Sequence, residues 1–287
     1  FFFCFYSFPT RRSSDLSKEI DLEMAFLQNR IGFSASYYDS KTIDDILPVT
    51  VSSATGFASE YENAGSMTNK GVEITLNGTP VHTRNIQWDI TINWSANRNK
   101  VVELFTDGSG QEAKNLELAG FPFGQTLNAP LGQSYGQLRG SDFVYTNGQK
   151  TVGSDGLYET SSDVNENIGT IQPKWIGGIN NSFRFKDFML SFLIDFKHGG
   201  DVFSLDQDFG QYDGLYPITA GLNASGKPKR SAIADGGGVI LPGVTADGKP
   251  NTQVVEDDYA GAVYGFGDNP DKAFVYDSSY IRLGDVI

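Results

Sequence analysis

The chain has 287 residues, a formal net charge of −13, 33 glycines, 13% aromatic residues and a single cysteine, Cys4. The acidic balance argues against a nucleic-acid partner, because a phosphate backbone rewards a basic footprint, and one cysteine excludes an internal disulfide framework. No run approaches the roughly 18 apolar residues of a membrane helix, which excludes a helical membrane protein but not a β-barrel, whose strands show only every second side chain to lipid.

Residues 1–16, FFFCFYSFPTRRSSDL, do not belong with the rest of the chain. A secretory signal has a basic segment before its apolar run and a small-residue cleavage site after it, and neither is here. Ser7 to Leu16 reads as the translation of a widely used sequencing-library adapter. The segment is therefore expected to be an assembly artefact and fold reasoning starts at Ser17. Both ends look cut, so the native protein is expected to be longer in both directions.

From Ser17, Ile20, Leu22, Met24 and Phe26 alternate with polar residues, Leu27 to Arg30 turns, and Ile31, Phe33, Ala35 and Tyr37 resume the alternation. This pattern predicts a hairpin. Asp44 to Glu62 is a Ser/Thr/Gly-rich connection in which VTVSS reads as strand or loop. The organising stretch is Asn63 to Val102. Val72, Ile74 and Leu76, then Trp88, Ile90, Ile92 and Trp94, alternate with acids, amides and hydroxyls, and Pro80 to Ile86 is the expected turn. Each strand has one apolar and one polar face. A sandwich wet on one side and a barrel in lipid both give this period, and periodicity alone leaves both open.

Phe105 to Thr170 is mixed, with a strand expected over Ser134 to Val144 and turns at Asn147-Gly148 and Asp155-Gly156. Trp175 to Phe185 and Phe188 to Phe196 return to strand alternation around a tight Lys186-Asp187 turn. His198 to Asp277 is long, irregular and rich in Gly, Asp, Pro and Tyr. Such a loop is uncommon in a compact soluble domain and ordinary on one side of an outer-membrane barrel, which favours the barrel. Ser278 to Ile287 opens another strand.

Three segments resemble the SusC/RagA family of TonB-linked outer-membrane transporters: NAGSMTNKGVEITLNGTP with its Trp-centred strand and NRNKVVEL, PKWIGGINNSFRFKDFMLSFLIDFKHGGDVFS (Pro173 to Ser204), and SSYIRLGDVI at the C-terminus. Their shared order spans most of the chain after residue 60. The resemblance implies an all-β fold of antiparallel hairpins, part of a large and here incomplete transmembrane barrel over residues 17–287, with a long extracellular loop at about 198–277. At the usual strand span the chain has material for roughly 8 to 12 strands. By resemblance the whole protein sits in the bacterial outer membrane against lipid. It imports a bulky nutrient, mostly glycan oligomers and sometimes peptide, with a SusD-like surface lipoprotein as lid. Energy comes from the TonB complex through a plug that this chain lacks. The competing readings are a soluble or surface carbohydrate-binding β-sandwich and a passive porin.

The chemistry-bearing residues are sparse. His82 in a turn and His198 at a strand end are the only histidines, too little for a His-based metal site or triad. No enzyme activity, cofactor or metal site is expected. Asp257, Asp258, Asp268 and Asp271 form an acidic cluster read as solvated loop rather than Ca²⁺ ligands. Phe209, Tyr212, Tyr216 and Tyr259 are read as packing their loop in preference to stacking on sugars. Trp88, Trp94 and Trp175 are read as an interfacial aromatic girdle. No residue is assigned as a substrate ligand.

Overall fold

The computed structural model describes residues 14–43, 46–50, 59–63, 65–106, 111–257, 262–265 and 267–287. In chain order the first strands are β1 (Ser14–Phe26), β2 (Ile31–Ile43), β3 (Ile46–Thr50), β4 (Ser59–Asn63), β5 (Ser66–His82) and β6 (Ile86–Glu103). A run of short strands comes next: β7 (Asn115–Gly120), β8 (Thr126–Pro130), β9 (Gln137–Gly140), β10 (Tyr145–Thr146), β11 (Gln149–Lys150) and β12 (Glu166–Thr170). Then come β13 (Trp175–Phe185), β14 (Phe188–His198), β15 (Asp201–Phe203), helix α1 (Leu205–Tyr212), β16 (Val275–Asp277) and β17 (Tyr280–Gly284).

A seven-stranded antiparallel sheet in the order β1-β2-β5-β6-β13-β14-β17 forms a wall, open at both edges. Its register converts the alternation in the sequence into two continuous faces. One row runs Met24, Phe33, Leu76, Ile92, Ile179, Ile194, Leu283 across all seven strands, and the next runs Leu22, Ala35, Ile74, Trp94, Gly177, Phe196, Ile281. One residue out of phase, Glu23, Ser34, Thr75, Asn93, Gly178, Asp195 and Arg282 line up on the opposite face. A slip of one residue in any strand would exchange the faces, so the pattern itself pins the register.

The apolar face is uncovered. Phe188 is 78% exposed and Ile281 76%, and the buried apolar residues from Val101 through Leu104, Phe143 and Val152 to Phe274 all lie outside the span of the wall strands that carries this face. A second sheet packed on it, as a sandwich requires, is absent among the described residues. The sandwich reading is thereby overturned.

Short turns join the wall strands at one end. Leu27, Gln28 and Asn29 all have positive φ, as does Lys186, and Thr83–Asn85 closes the hairpin between β5 and β6. β5 thus runs on to His82, past the expected turn start at Pro80, through a bulge between Gly78 and Val81. Arg30 Nη2 donates to the Thr79 carbonyl at 3.1 Å, and the Lys186 amide donates to the Asn85 carbonyl at 2.8 Å, so neighbouring turns brace each other.

All three long connections leave from the other end. Residues 104–174 carry a four-stranded sheet, β12-β9-β8-β7, and a β10-β11 hairpin whose Asn147 (φ 51) and Gly148 (φ 77) form the expected tight turn. Only Gln137–Gly140 of the stretch Ser134 to Val144 is strand. These strands have two to six residues, too short to span a membrane. The wall therefore has seven strands, not the eight to twelve expected, because chain counted as spanning material folds as loop structure. Residues 199–279 likewise contain α1, the β15-β16 pair and buried Val239, Leu241 and Val263, whose small core is shared with Leu157 and Tyr158 of the preceding connection. Gly199 (φ 76) and Gly200 (φ 82) turn the chain out of β14, and a side chain at Gly199 would meet Lys174 Cγ at 2.9 Å.

The first 13 residues of the adapter-like segment, residues 51–53 of VTVSS, Asp258 and Tyr259 lie outside the described residues. Ser14 to Leu16 extend β1 by pairing with Ile43 to Lys41.

Candidate functional site

The polar face of the wall is a hydrogen-bonded ladder. Thr91 Oγ1 donates to Asn77 Oδ1 at 3.0 Å, Thr75 Oγ1 to Asn93 Oδ1 at 2.9 Å and Thr79 Oγ1 to Asp89 Oδ1 at 2.8 Å. Gln87 donates to Asp89 at 2.7 Å and in turn accepts from Arg184 at 2.7 Å. On β14, Asp195 accepts from Arg282 at 2.7 Å and from the Tyr280 hydroxyl at 3.1 Å. These amides, hydroxyls and carboxylates offer both donors and acceptors to a hydrated solute.

The apolar face has a measurable height. It runs along β6 from Ile86 through Trp88, Ile90, Ile92 and Trp94 to Ala96, and beyond it the row Lys18, Asp39, Lys70, Arg98 is charged, with Lys70 paired to Asp39 at 2.8 Å. The ten steps from Ile86 to Ala96, at about 3.4 Å each, give roughly 34 Å of strand, or about 25 Å of height at the 35–45° tilt of barrel strands. That is the thickness of the apolar band on a membrane barrel. Trp88 lies one row inside the short-turn end and stacks on Phe183 at 5.3 Å, and Trp175 lies at the long-loop end beside His198 at 5.4 Å. Both positions fit the girdle. Trp94 sits one row inside the upper edge, opposite Gly177. Asn181, the amide on this face, is buried, and its Oδ1 accepts from Trp88 Nε1 at 3.3 Å, which supplies a hydrogen bond that lipid cannot.

The two larger connections are pinned to each other above the wall. Asp271 accepts from the Ser141 amide at 2.7 Å, the Ser141 hydroxyl at 2.8 Å and the Gln125 side-chain amide, and Asp201 accepts from the Thr170 amide at 2.9 Å. The acidic cluster is thus not simply solvated: Asp257 is fully buried and Asp271 is a structural acceptor. Asp208 on α1 is also buried, and burial pushes its carboxyl up to about 6, with the Asp271 charge adding to the rise.

Between these connections lies a cleft of about 690 Å³ lined by residues that include Phe143, Lys150, Tyr158, Lys229, Gly238 and Tyr264. Lys150 Nζ lies 3.5 Å from the Phe143 ring centre and 4.9 Å from that of Tyr158. Lys229 Nζ lies 5.4 Å from the Tyr264 ring centre and donates to the Ile218 carbonyl at 2.8 Å. Burial lowers the Lys150 ammonium below the usual lysine range against the opposing pull of Asp142, and burial with the nearby Asp257 pushes the Tyr264 phenol up to about 12. Sequence reasoning did not find this cleft, since its walls come from segments up to 130 residues apart. The Asn147-Gly148 and Asp155-Gly156 turns that frame Lys150 were its one visible trace.

Other expected candidates disperse. His82 ends β5 at the short-turn end and His198 ends β14 at the opposite end. Tyr216 packs on Gly210 and donates to Asp206, holding its loop to α1 as expected for a packing role. Among the described residues, no three His, Cys, Asp or Glu side chains are grouped to hold a metal ion.

Comparison with known proteins agrees with this geometry. The profile of the family described as TonB dependent receptor-like, beta-barrel matches residues 16–130. TonB-dependent receptor P26 of Formosa agariphila is 29% identical over 207 residues, covering 66% of this chain and 20% of that protein. TonB-dependent receptor SusC of Bacteroides thetaiotaomicron is 25% identical over 193 residues, covering 60% of this chain and 18% of that protein. The RagAB peptide importer in its closed-closed state superposes with a TM-score of 0.63 at 18% identity, over 96% of this chain and 28% of that one. The chain thus spans about a fifth of the length of the curated relatives it matches.

Proposed function

Because this chain is part of the barrel of a SusC/RagA-type TonB-dependent receptor of the bacterial outer membrane, we propose that the whole protein imports glycan oligomers across that membrane together with a SusD-like surface lipoprotein. Energy would enter from the TonB complex through a plug domain. The described residues supply the lipid-facing wall, a lumen surface of amides, hydroxyls and carboxylates, and the loop assembly on which substrate and lid would sit. Residues 198–277 are read as extracellular, since the long connections share one end of the wall and barrels of this kind place long loops outside. Residues 1–16 are read as foreign, in keeping with a family match that begins at Leu16.

The observation that carries the reading is the seven-strand register, with one face apolar over a membrane's thickness and the other a polar ladder. A passive porin would need the wall but neither plug nor lid. Peptide is the second reading, because two solved structures that share this fold are a peptide transporter and a peptide importer.

The test is uptake by cells carrying the full-length gene and its neighbouring lipoprotein gene, with fluorescent oligosaccharides and oligopeptides as probes. Oligosaccharide entry that stops when TonB is inactivated and when the lipoprotein is deleted supports the proposal. Entry that persists without TonB supports the porin, and TonB-dependent entry of peptides alone replaces glycan with peptide.

A further inference from the structure

The chain carries 35 acidic and 22 basic residues, yet the described lining of the 690 Å³ cleft contains two lysines and no carboxylate. Neither ammonium has an ion-pair partner among the described residues. Lys150 rests instead on the Phe143 and Tyr158 rings, and Lys229 lies near Tyr264. Aromatic faces hold a cation in place without cancelling its charge; Asp142, outside the lining, acts on Lys150 at longer range, and neither ammonium is closed off by a direct ion pair among the described residues. The volume falls within the range of small-ligand sites, which combine mostly apolar walls with a few placed polar groups. Gly236, Gly237 and Gly238 form part of the wall, and a side chain at Gly237 would meet the Ser231 backbone and one at Gly238 the Val255 carbonyl, so glycine lets the wall pack closely there.

We propose that this cleft binds a saccharide unit bearing an anionic group, a uronate carboxylate or a sulfate ester, with Lys150 and Lys229 engaging the charge. The inference rests on the glycan-import reading and narrows its substrate class. The shared chemistry is a hydroxylated ring carrying a fixed oxyanion. Such a ligand supplies the close ion pair that the lysines lack internally, and its hydroxyls can meet the polar side chains of the lining, Gln211, Ser225 and Asn269.

The test is isothermal titration of the full-length transporter in detergent with tetragalacturonate and a sulfated galactan tetrasaccharide, against neutral maltotetraose and tetraglutamate. At least one anionic saccharide is expected to bind about tenfold or more tighter than both controls. Lys150→Met and Lys229→Gln, which lie on separate segments, should each weaken that binding by about tenfold or more, the scale of a hydrogen bond to a charged group. Lys150→Arg should retain most of it, and heat-modifiable gel mobility reports that each variant is folded. Equal binding of maltotetraose, equal or better binding of tetraglutamate, no binding of either anionic saccharide, or unchanged affinity in both lysine variants would each overturn the inference. TonB-dependent uptake of a neutral glycan unaltered by Lys150→Met removes the inference and leaves the import reading standing. Lysine-dependent binding of an anionic saccharide without TonB-dependent uptake of any glycan removes the import reading and leaves the site.

Discussion

Placing a charge on each face of the same strand separates a wall in lipid from a wall in water. Ile92 lies six residues above Ile86 and four below Ala96 on the apolar face, and its row runs unbroken from Met24 to Leu283. At about 3.4 Å per residue and a tilt near 40°, that puts it within about 3 Å of the midplane. Arginine there should destabilise the barrel by about 2–4 kcal/mol, and arginine at Ala96, one row below the charged edge, by about 0–1 kcal/mol. Thr91→Arg faces the polar ladder and loses the Thr91–Asn77 bond, for which about 1 kcal/mol is expected. The assay is guanidinium titration of the full-length protein in liposomes, with the folded fraction read from heat-modifiable mobility. Equal penalties for Ile92→Arg and Thr91→Arg, or no dependence on depth between Ile92 and Ala96, would refute the assignment of the faces.

Other perturbations have equally specific outcomes. A side chain at Gly177 would meet the Asn93 carbonyl oxygen at 2.9 Å, so Gly177→Val should destabilise the β6-β13 pairing by about 1–3 kcal/mol in the same titration. Asp271→Ala strands the Ser141 amide and hydroxyl and the Gln125 amide; hydrogen exchange over residues 137–142 and 269–274 should accelerate at least tenfold while the wall strands are unchanged. The Asp208 carboxyl, raised by burial to about 6, binds its proton more tightly in the folded loops than in the unfolded chain. Stability that is full below about pH 4 is therefore lost as pH rises through about 6. Asp208→Asn should slow proteolysis around α1 at about pH 7.5, by up to about 3 kcal/mol of local stability, and make no difference near pH 4.

The wall hairpins were legible because their residues obey one rule over long spans. Val72-Ile74-Leu76, Trp88-Ile90-Ile92-Trp94 and Phe188-Leu190-Phe192-Ile194-Phe196 each place apolar groups at period two, and the Lys186-Asp187 turn is found where the alternation breaks. Two solvents impose that period, and the register needs no distant information. The loop assembly was not legible for the opposite reason. Asp271 reads as one member of a solvated acidic run, but its partners Ser141 and Gln125 lie 130 and 146 residues away. Buried Asn128, Thr151 and Thr219 likewise look like surface residues until the strands and turns that enclose them are in place. The same mixture of short strands and polar burial led the spanning-strand count too high. The cleft combines both difficulties, since Lys150 and Lys229 come together only after two separate connections have folded against each other.

The most direct test of the membrane-wall account is site-directed spin labelling of β6 in the full-length transporter, reconstituted in bilayers, at single-cysteine positions 88 to 96. Collision with oxygen, which concentrates in lipid, should peak at residues 88, 90, 92, 94 and 96, and collision with a water-soluble nickel complex should peak at 89, 91, 93 and 95. An alternation of opposite phase, or none, would contradict a sheet with lipid on the face of Trp88 to Ala96 and water on the face of Asp89 to Ser95.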